Sequence, residues 1–135
     1  MEHLLSRCRA YVYAGLEDFG IAPVEAMASG APVIGLGRGG LLDTVRCSAA
    51  GVDAATGVLF PDQTVESLVD AVRWFERRQL WRQLDAAVLR QWAERFAPEA
   101  FASRFEATLR RVWTLHQTRC AVAASDPGEM PELRL

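Results

Sequence analysis

The apolar positions change period along the chain. Between Ala10 and Phe60 they form three short continuous runs, A-Y-V-Y-A at 10–14, P-V-I-G-L at 32–36 and G-V-L-F at 57–60, each bounded by glycine, proline or polar residues. Runs of this length, rich in aromatic and β-branched side chains, read as strands buried on both faces. The segments between them read as helices. Residues 2–9 predict the last turns of one helix, and residues 22–29 a second, with Pro23 in its first turn and Gly30 stopping it. Residues 41–46 begin another, whereas residues 47–56 carry small and polar residues in no period and read as a loop. Strands separated by helices predict an α/β fold, a parallel sheet with helices on its faces.

From Thr64 onward the period is helical. Val65, Leu68, Val69, Val72 and Phe75 fall on one face, behind Thr64 as N-cap and with Glu66 in the first turn. Trp81, Leu84, Val88 and Trp92 make the stripe of a second helix. A third starts at Pro98 and aligns Phe101, Phe105, Leu109 and Val112 as far as about His116. The tryptophans and phenylalanines read as core. Residues 117–135 keep no sustained period, contain D-P-G and M-P, and read as a flexible tail behind a domain of residues 1–116.

Composition narrows the class. A chain of 135 residues, 50% hydrophobic and 24% charged, suits one soluble core. Its net charge of -2, from 15 basic and 17 acidic residues, leaves no footprint for nucleic acid. Cys8, Cys47 and Cys120 are odd in number and far apart, so they predict free thiols in a reducing compartment, with Cys8 on a buried helix face. His3 and His116 stand alone and read as surface residues. No run approaches the roughly twenty apolar residues that span a bilayer, and the N-terminus lacks a signal core. The expectation is a cytoplasmic protein whose one membrane role would be peripheral contact at the inner face, where Arg77, Arg78, Arg110 and Arg111 otherwise read as solvated helix faces.

Chemistry concentrates in E-D-F-G-I-A-P-V-E at 17–25. Gly20 and Pro23 argue against one continuous helix, so Glu17 is expected in a loop above the sheet and Glu25 in the first turns of a helix. Both would border the crevice at the carboxyl ends of parallel strands, where open sheets take ligands. Backbone amides around Gly20, Ile21 and Ala22 could point at phosphate oxygens, and the carboxylates could accept from the hydroxyls of a ribose and a hexose. A plainer reading makes Glu25 a complement to the helix dipole and Glu17 a solvated charge. Spacing alone does not choose between them. A different class is suggested by V-I-G-L-G-R-G-G, in which Gly35, Gly37 and Gly40 satisfy G-x-G-x-x-G after a strand, with Asp62 further on; that pattern belongs to NAD(P)-binding oxidoreductases. The short helix and long loop that follow speak against it.

The stretch from Arg9 to Phe60 resembles the signature region of the family-four retaining glycosyltransferases. The matching residues are Glu17, Phe19, Gly20, Glu25, Ala26, Met27, Ala28, Gly30, Pro32, Val33, Ile34, then Gly39, Gly40, Asp43 and Val45, then Thr56, Gly57, Leu59 and Phe60. The wording E-D-F-G-I-A-P-V-E is similar to that of mannosyltransferase members. The resemblance implies a Rossmann-like C-terminal, donor-binding part of a GT-B fold. It implies a nucleotide diphosphate sugar as donor substrate, with GDP-mannose the candidate, transferred to the hydroxyl of an unidentified glycan or lipid-linked glycan acceptor, with no cofactor and no metal. By position, Glu17 would be the catalytic residue at the donor hexose and Glu25 would hold the ribose. Phe19, Gly20, Ile21, Gly39 and Gly40 would complete the donor site. Members of the family also carry an N-terminal acceptor domain, an interdomain glycine-rich loop and an upstream Arg and Lys pair, none of them present here. Asp43 replaces the usual glutamate. The chain is therefore expected to be inactive alone, completed by a missing domain or partner chain; the alternative is a non-catalytic truncated remnant or a subunit of a split enzyme.

Overall fold

A computed structural model of the protein describes residues 2–47 and 54–125. Three parallel strands, β1 (Tyr11–Tyr13), β2 (Val33–Leu36) and β3 (Gly57–Phe60), lie side by side in chain order. Their register pairs Tyr11 with Val33 and Gly35 with Leu59. Every residue of the central strand β2 is buried, as its unbroken apolar run requires. The helices of this part are α1 (Glu2–Leu5), α2 (Ile21–Ala28), α3 (Leu41–Thr44), α4 (Val65–Arg77) and α5 (Ala86–Ala93). The α/β class and the parallel sheet with flanking helices are thus as the periodicity predicts.

Local chemistry sets the helix boundaries. Thr64 caps α4, its hydroxyl accepting from the Ser67 amide at 3.2 Å. At the end of α2, the Gly30 amide donates to Met27 and the Ala31 amide to Ala26, both at 2.9 Å, which closes a Schellman motif. α2 and α5 pack against each other beside the sheet. The core gathers Met27 and Ala26 of α2, Ile34 and Leu36 of β2, Leu41, Phe60, Phe75, Leu80 and Leu89. Burying each large apolar side chain contributes about 1.5–3 kcal/mol against its exposed state.

Several expectations are corrected. The stripe Trp81 to Trp92 is not one helix. A 3-10 turn at Leu80–Arg82 gives way to α5, which Asp85 caps by accepting from the Ala87 amide at 2.8 Å. An N-capping aspartate in mid-pattern outweighs the spacing around it. Val65 is 73% exposed, and the buried face of α4 runs instead through Ala71 and Phe75. Cys8 is exposed, in the turn that follows α1, with its thiol donating to the Leu5 carbonyl at 3.1 Å. The helix of residues 41–46 ends at Thr44, and of the loop at 47–56, residues 48–53 lie outside the described residues.

The chain divides into two compact units at Ala97 and Pro98. The second contains α6 (Pro98–Ser125). Helix therefore replaces the irregular structure expected at residues 117–125, while residues 126–135 lie outside the described part. Phe101, expected in the core, is 62% exposed, and Phe105, Leu109 and Val112 are exposed with it. A helical apolar stripe specifies which face can be buried; it does not supply the surface that buries it.

Candidate functional site

β1 ends at Tyr13, and the chain crosses the top of the sheet to Gly20, where it turns into α2. Gly20 adopts φ 83°, ψ 68°, a left-handed conformation that costs other residues strain. A Cβ there would also stand 3.0 Å from Leu41 Cδ1. No side chain caps α2, and its first turn holds no acidic residue. The amides of Ile21 and Ala22 donate to no backbone carbonyl among the described residues, and Pro23 has none to donate. α2 consequently presents the positive end of its dipole, about half an elementary charge, uncompensated by its own side chains. Such an end suits an oxyanion.

The loops that follow the three strands are tied to one another at this edge. The Gly40 amide donates to the Glu17 carbonyl at 2.8 Å. A Cβ on Gly40 would collide with the backbone of Asp18 and Phe19, and one on Gly39 with the Glu17 carbonyl, so the glycine pair lets the second loop lie directly against the first. Gln63, beyond β3, donates through Nε2 to the Ala14 carbonyl at 2.9 Å. Arg38 and Asp62 pair at 3.3 Å between the second and third loops. Phe19 meets Phe96 edge to face at 5.6 Å between centroids, and Phe96 meets Trp92 at 5.8 Å. Trp92 is itself fixed, its indole donating to the Thr44 carbonyl at 2.7 Å beneath the Arg46 guanidinium. The Phe19 side chain is thereby an anchor for the loop.

Of the residues singled out from the sequence, Glu17, Phe19, Gly20, Gly39 and Gly40 come together in these two touching loops, and Ile21 opens α2. Glu17 is exposed and accepts a short hydrogen bond from the Tyr13 hydroxyl. That bond, with the carboxylate's charge behind it, pushes the Tyr13 phenol up to about 12. Glu25 is exposed at the fifth position of α2, past the first turn where a dipole complement acts, and its carboxylate has no hydrogen-bond partner among the described residues. Tyr13, Gln63 and Trp92 were not singled out. Tyr13 alone carried a signal, four residues before a glutamate with a glycine between.

The glycine fingerprint has a packing explanation. Gly35 leaves room for Leu41, whose side chain a Cβ would strike, and Gly40 admits the Glu17 loop. The helix that Gly40 opens has only four residues, not the full crossover helix of a dinucleotide site. Two cavities lie elsewhere. One of about 400 Å³ is apolar, between β3 and α4, and one of about 440 Å³ lies beside the C-terminal end of α2, lined by His3, Ser6, Ala28, Ser29 and Arg90. Among the described residues no three of His, Cys, Asp and Glu are grouped to hold a metal, and no helix is long and apolar enough to cross a membrane.

Comparison with known proteins bears on the whole of this region. Residues 1–94 match the family model described as glycosyl transferases group 1. Over 63 residues, 44% of this chain, the sequence is 43% identical to the alpha-1,3/1,6-mannosyltransferase ALG2 of Saccharomyces cerevisiae. The structure resembles sucrose-phosphate synthase from Thermosynechococcus elongatus with a TM-score of 0.64 and 28% identity over 83% of this chain. The likeness takes in 12% of the yeast protein and 27% of the synthase.

Proposed function

The chain belongs to the glycosyl transferases group 1 family, and on that footing we propose that its α2 ledge binds the donor of a retaining sugar transfer, a nucleotide diphosphate sugar. The observation that carries this reading is the uncapped start of α2, where the amides of Ile21 and Ala22 donate to no backbone carbonyl among the described residues and the first turn holds no acidic side chain. A diphosphate oxygen is the group such an end accommodates at least cost. Around it stand the carboxylates that a sugar nucleotide requires. Glu25, one turn along α2 and without a hydrogen-bond partner among the described residues, accepts from the ribose diol. Glu17, in the adjoining loop, accepts from a hexose hydroxyl and is the catalytic carboxylate of the set. Phe19, Gly20 and Ile21 contribute backbone contacts, and the Gly39 and Gly40 loop supports them from below.

Transfer breaks the bond between the anomeric carbon and the diphosphate and forms one to an acceptor hydroxyl. Negative charge gathers on the leaving diphosphate, and amides already aimed at it stabilise that charge without reorganising. Mannose is the sugar we favour, since the 63-residue likeness is to a mannosyltransferase. GDP-mannose is accordingly the donor, with a glycan or lipid-linked glycan as acceptor and the remaining half of the active site contributed by a further domain or partner chain. We place the reaction in the cytoplasm, at most in peripheral contact with a membrane.

Calorimetric titration tests the reading. GDP-mannose should bind saturably, GDP or UDP more weakly, and NAD and NADP should give no saturable heat. Saturable NAD binding, with none for any sugar nucleotide, would return the glycine loop to the oxidoreductase reading.

A further inference from the structure

We propose that Tyr13 is a positioning residue for Glu17, holding its carboxylate at the site through a phenol to carboxylate hydrogen bond for which Gly15 makes the room. The inference rests on the donor-binding reading above, since it gives Glu17 a support whose purpose is to orient a sugar.

Glu17 is an exposed carboxylate on an exposed loop, and a free glutamate there would sample several rotamers. Two contacts restrain it. Its backbone carbonyl accepts from Gly40, and its Oε1 accepts from the Tyr13 hydroxyl. Tyr13 is the last residue of β1, so the donor stands on a rigid element and not on the loop itself. The ring can reach Glu17 only by crossing the chain at Gly15, where a Cβ would come within 2.8 Å of the Tyr13 hydroxyl oxygen and 2.9 Å of its Cζ. A side chain at 15 would have to displace the end of the Tyr13 ring, and a branched one would move the phenol away from the carboxylate. On its other side Tyr13 stacks on Tyr11, with centroids 6.3 Å apart and planes 16° apart. The ring is therefore fixed by a neighbour on its own strand, a bare glycine and its acceptor. The chemistry is also matched. A phenol donates one proton to Glu17 and leaves the other carboxylate oxygen for a sugar hydroxyl. It stays protonated well above neutrality, because ionisation would lose the bond and set two negative charges together.

The test uses the full chain and two kinds of measurement. In calorimetry at neutral pH, Tyr13→Phe should weaken GDP-mannose binding about tenfold, the low end for a hydrogen bond to a charged group, while GDP affinity stays as in the wild type. Glu17→Gln should produce a similar loss, and the double variant should be no worse than either single one, because both remove the same oriented carboxylate. Gly15→Val should behave like Tyr13→Phe although it removes no polar group. Additive losses, or equal losses for GDP-mannose and GDP, would overturn the proposal. The second measurement follows phenolate absorbance, with circular dichroism confirming the fold. One tyrosine should ionise near about 12, vanish in Tyr13→Phe, persist in Tyr11→Phe and fall toward the ordinary 10.0 in Glu17→Gln. A high titration unmoved by Glu17→Gln would show that Tyr13 does not engage Glu17. A wild type that binds no sugar nucleotide would sink the donor reading instead, and the absorbance titration would still decide the pairing.

Discussion

Glu17 and Glu25 sit eight residues apart, yet their surroundings give them different work. Glu25 has no partner among the described residues and sits on a helix, so in our reading its carboxylate is available to a ribose before and during transfer. Glu25→Ala should therefore weaken binding of GDP and of GDP-mannose alike, by roughly 1.5 to 3 kcal/mol, or about ten- to a hundredfold. Glu17, held by Tyr13 and by the Gly40 amide, faces the reacting sugar in our reading. Glu17→Ala should spare GDP affinity and, in the completed enzyme, lower the single-turnover rate, since alignment is lost where the bond breaks. Both variants should keep their circular dichroism, because both carboxylates are exposed. Unchanged nucleotide affinity in Glu25→Ala together with an unchanged rate in Glu17→Ala would remove both assignments. At this scale the placing of Glu17 in a loop and Glu25 on a helix was legible from Gly20 and Pro23, while the donor roles we propose for them came from the family resemblance and not from spacing. Tyr13 left only its spacing from Glu17 and Gly15 as a signal, because the role we propose for it depends on Gly15 leaving the ring a path that only the folded loop defines.

At the scale of elements, the site depends on loops held together from three strands. Gly40 lies directly against the backbone of the first loop, and Gly40→Ala should force the Gly39 and Gly40 loop away from Asp18 and Phe19. Overpacking of this kind costs about 1 to 3 kcal/mol. Because the displaced backbone is the site itself, GDP-mannose affinity should fall with stability. Thr64→Ala is the contrasting case. It removes the cap of α4, a bond from the Ser67 amide to the Thr64 hydroxyl that involves no residue of the Glu17 or Gly40 loops, and should lower stability, read from the denaturation midpoint, by about 1 kcal/mol while leaving GDP-mannose affinity unaltered. Equal effects of both variants on affinity would mean that binding follows global stability and not loop geometry. The strands, α2 and α4 were readable because their signals are local: continuous apolar runs, Pro23 and Gly30, Thr64. The break between Trp81 and Trp92 was misread because Asp85, a cap, lies inside an apolar spacing that also fits one helix.

For the whole molecule, the parallel sheet and its carboxyl-end loops supply the donor ledge we propose, and sugar transfer also needs an acceptor hydroxyl held against the anomeric carbon. Positioning two reactants together accounts for several kcal/mol of a barrier. The likeness to longer relatives takes in 12% of one and 27% of the other. The 135-residue chain should accordingly bind GDP-mannose without transferring it to an added acceptor, and mannose appearing in product, measured with radiolabelled donor, would refute that expectation. α6 makes the same point in packing terms. Its phenylalanines form an apolar stripe in sequence, and they are exposed in the structure.

What the sequence by itself determined is the class of fold, the order of elements as far as α4 and, through the resemblance carried by residues 9–60, the family, because short apolar runs, helix stops and motif residues are properties of neighbouring positions. What only the tertiary structure decided is which of these groups meet. The hydrogen bond from Gly40 to Glu17, the tie from Gln63 to Ala14 and the anchoring of Phe19 on Phe96 and Trp92 join residues from different loops and helices. Such contacts are set by the register of β1 on β2 and of β2 on β3 and by the packing of α2 on α5, distances that no periodicity along the chain encodes.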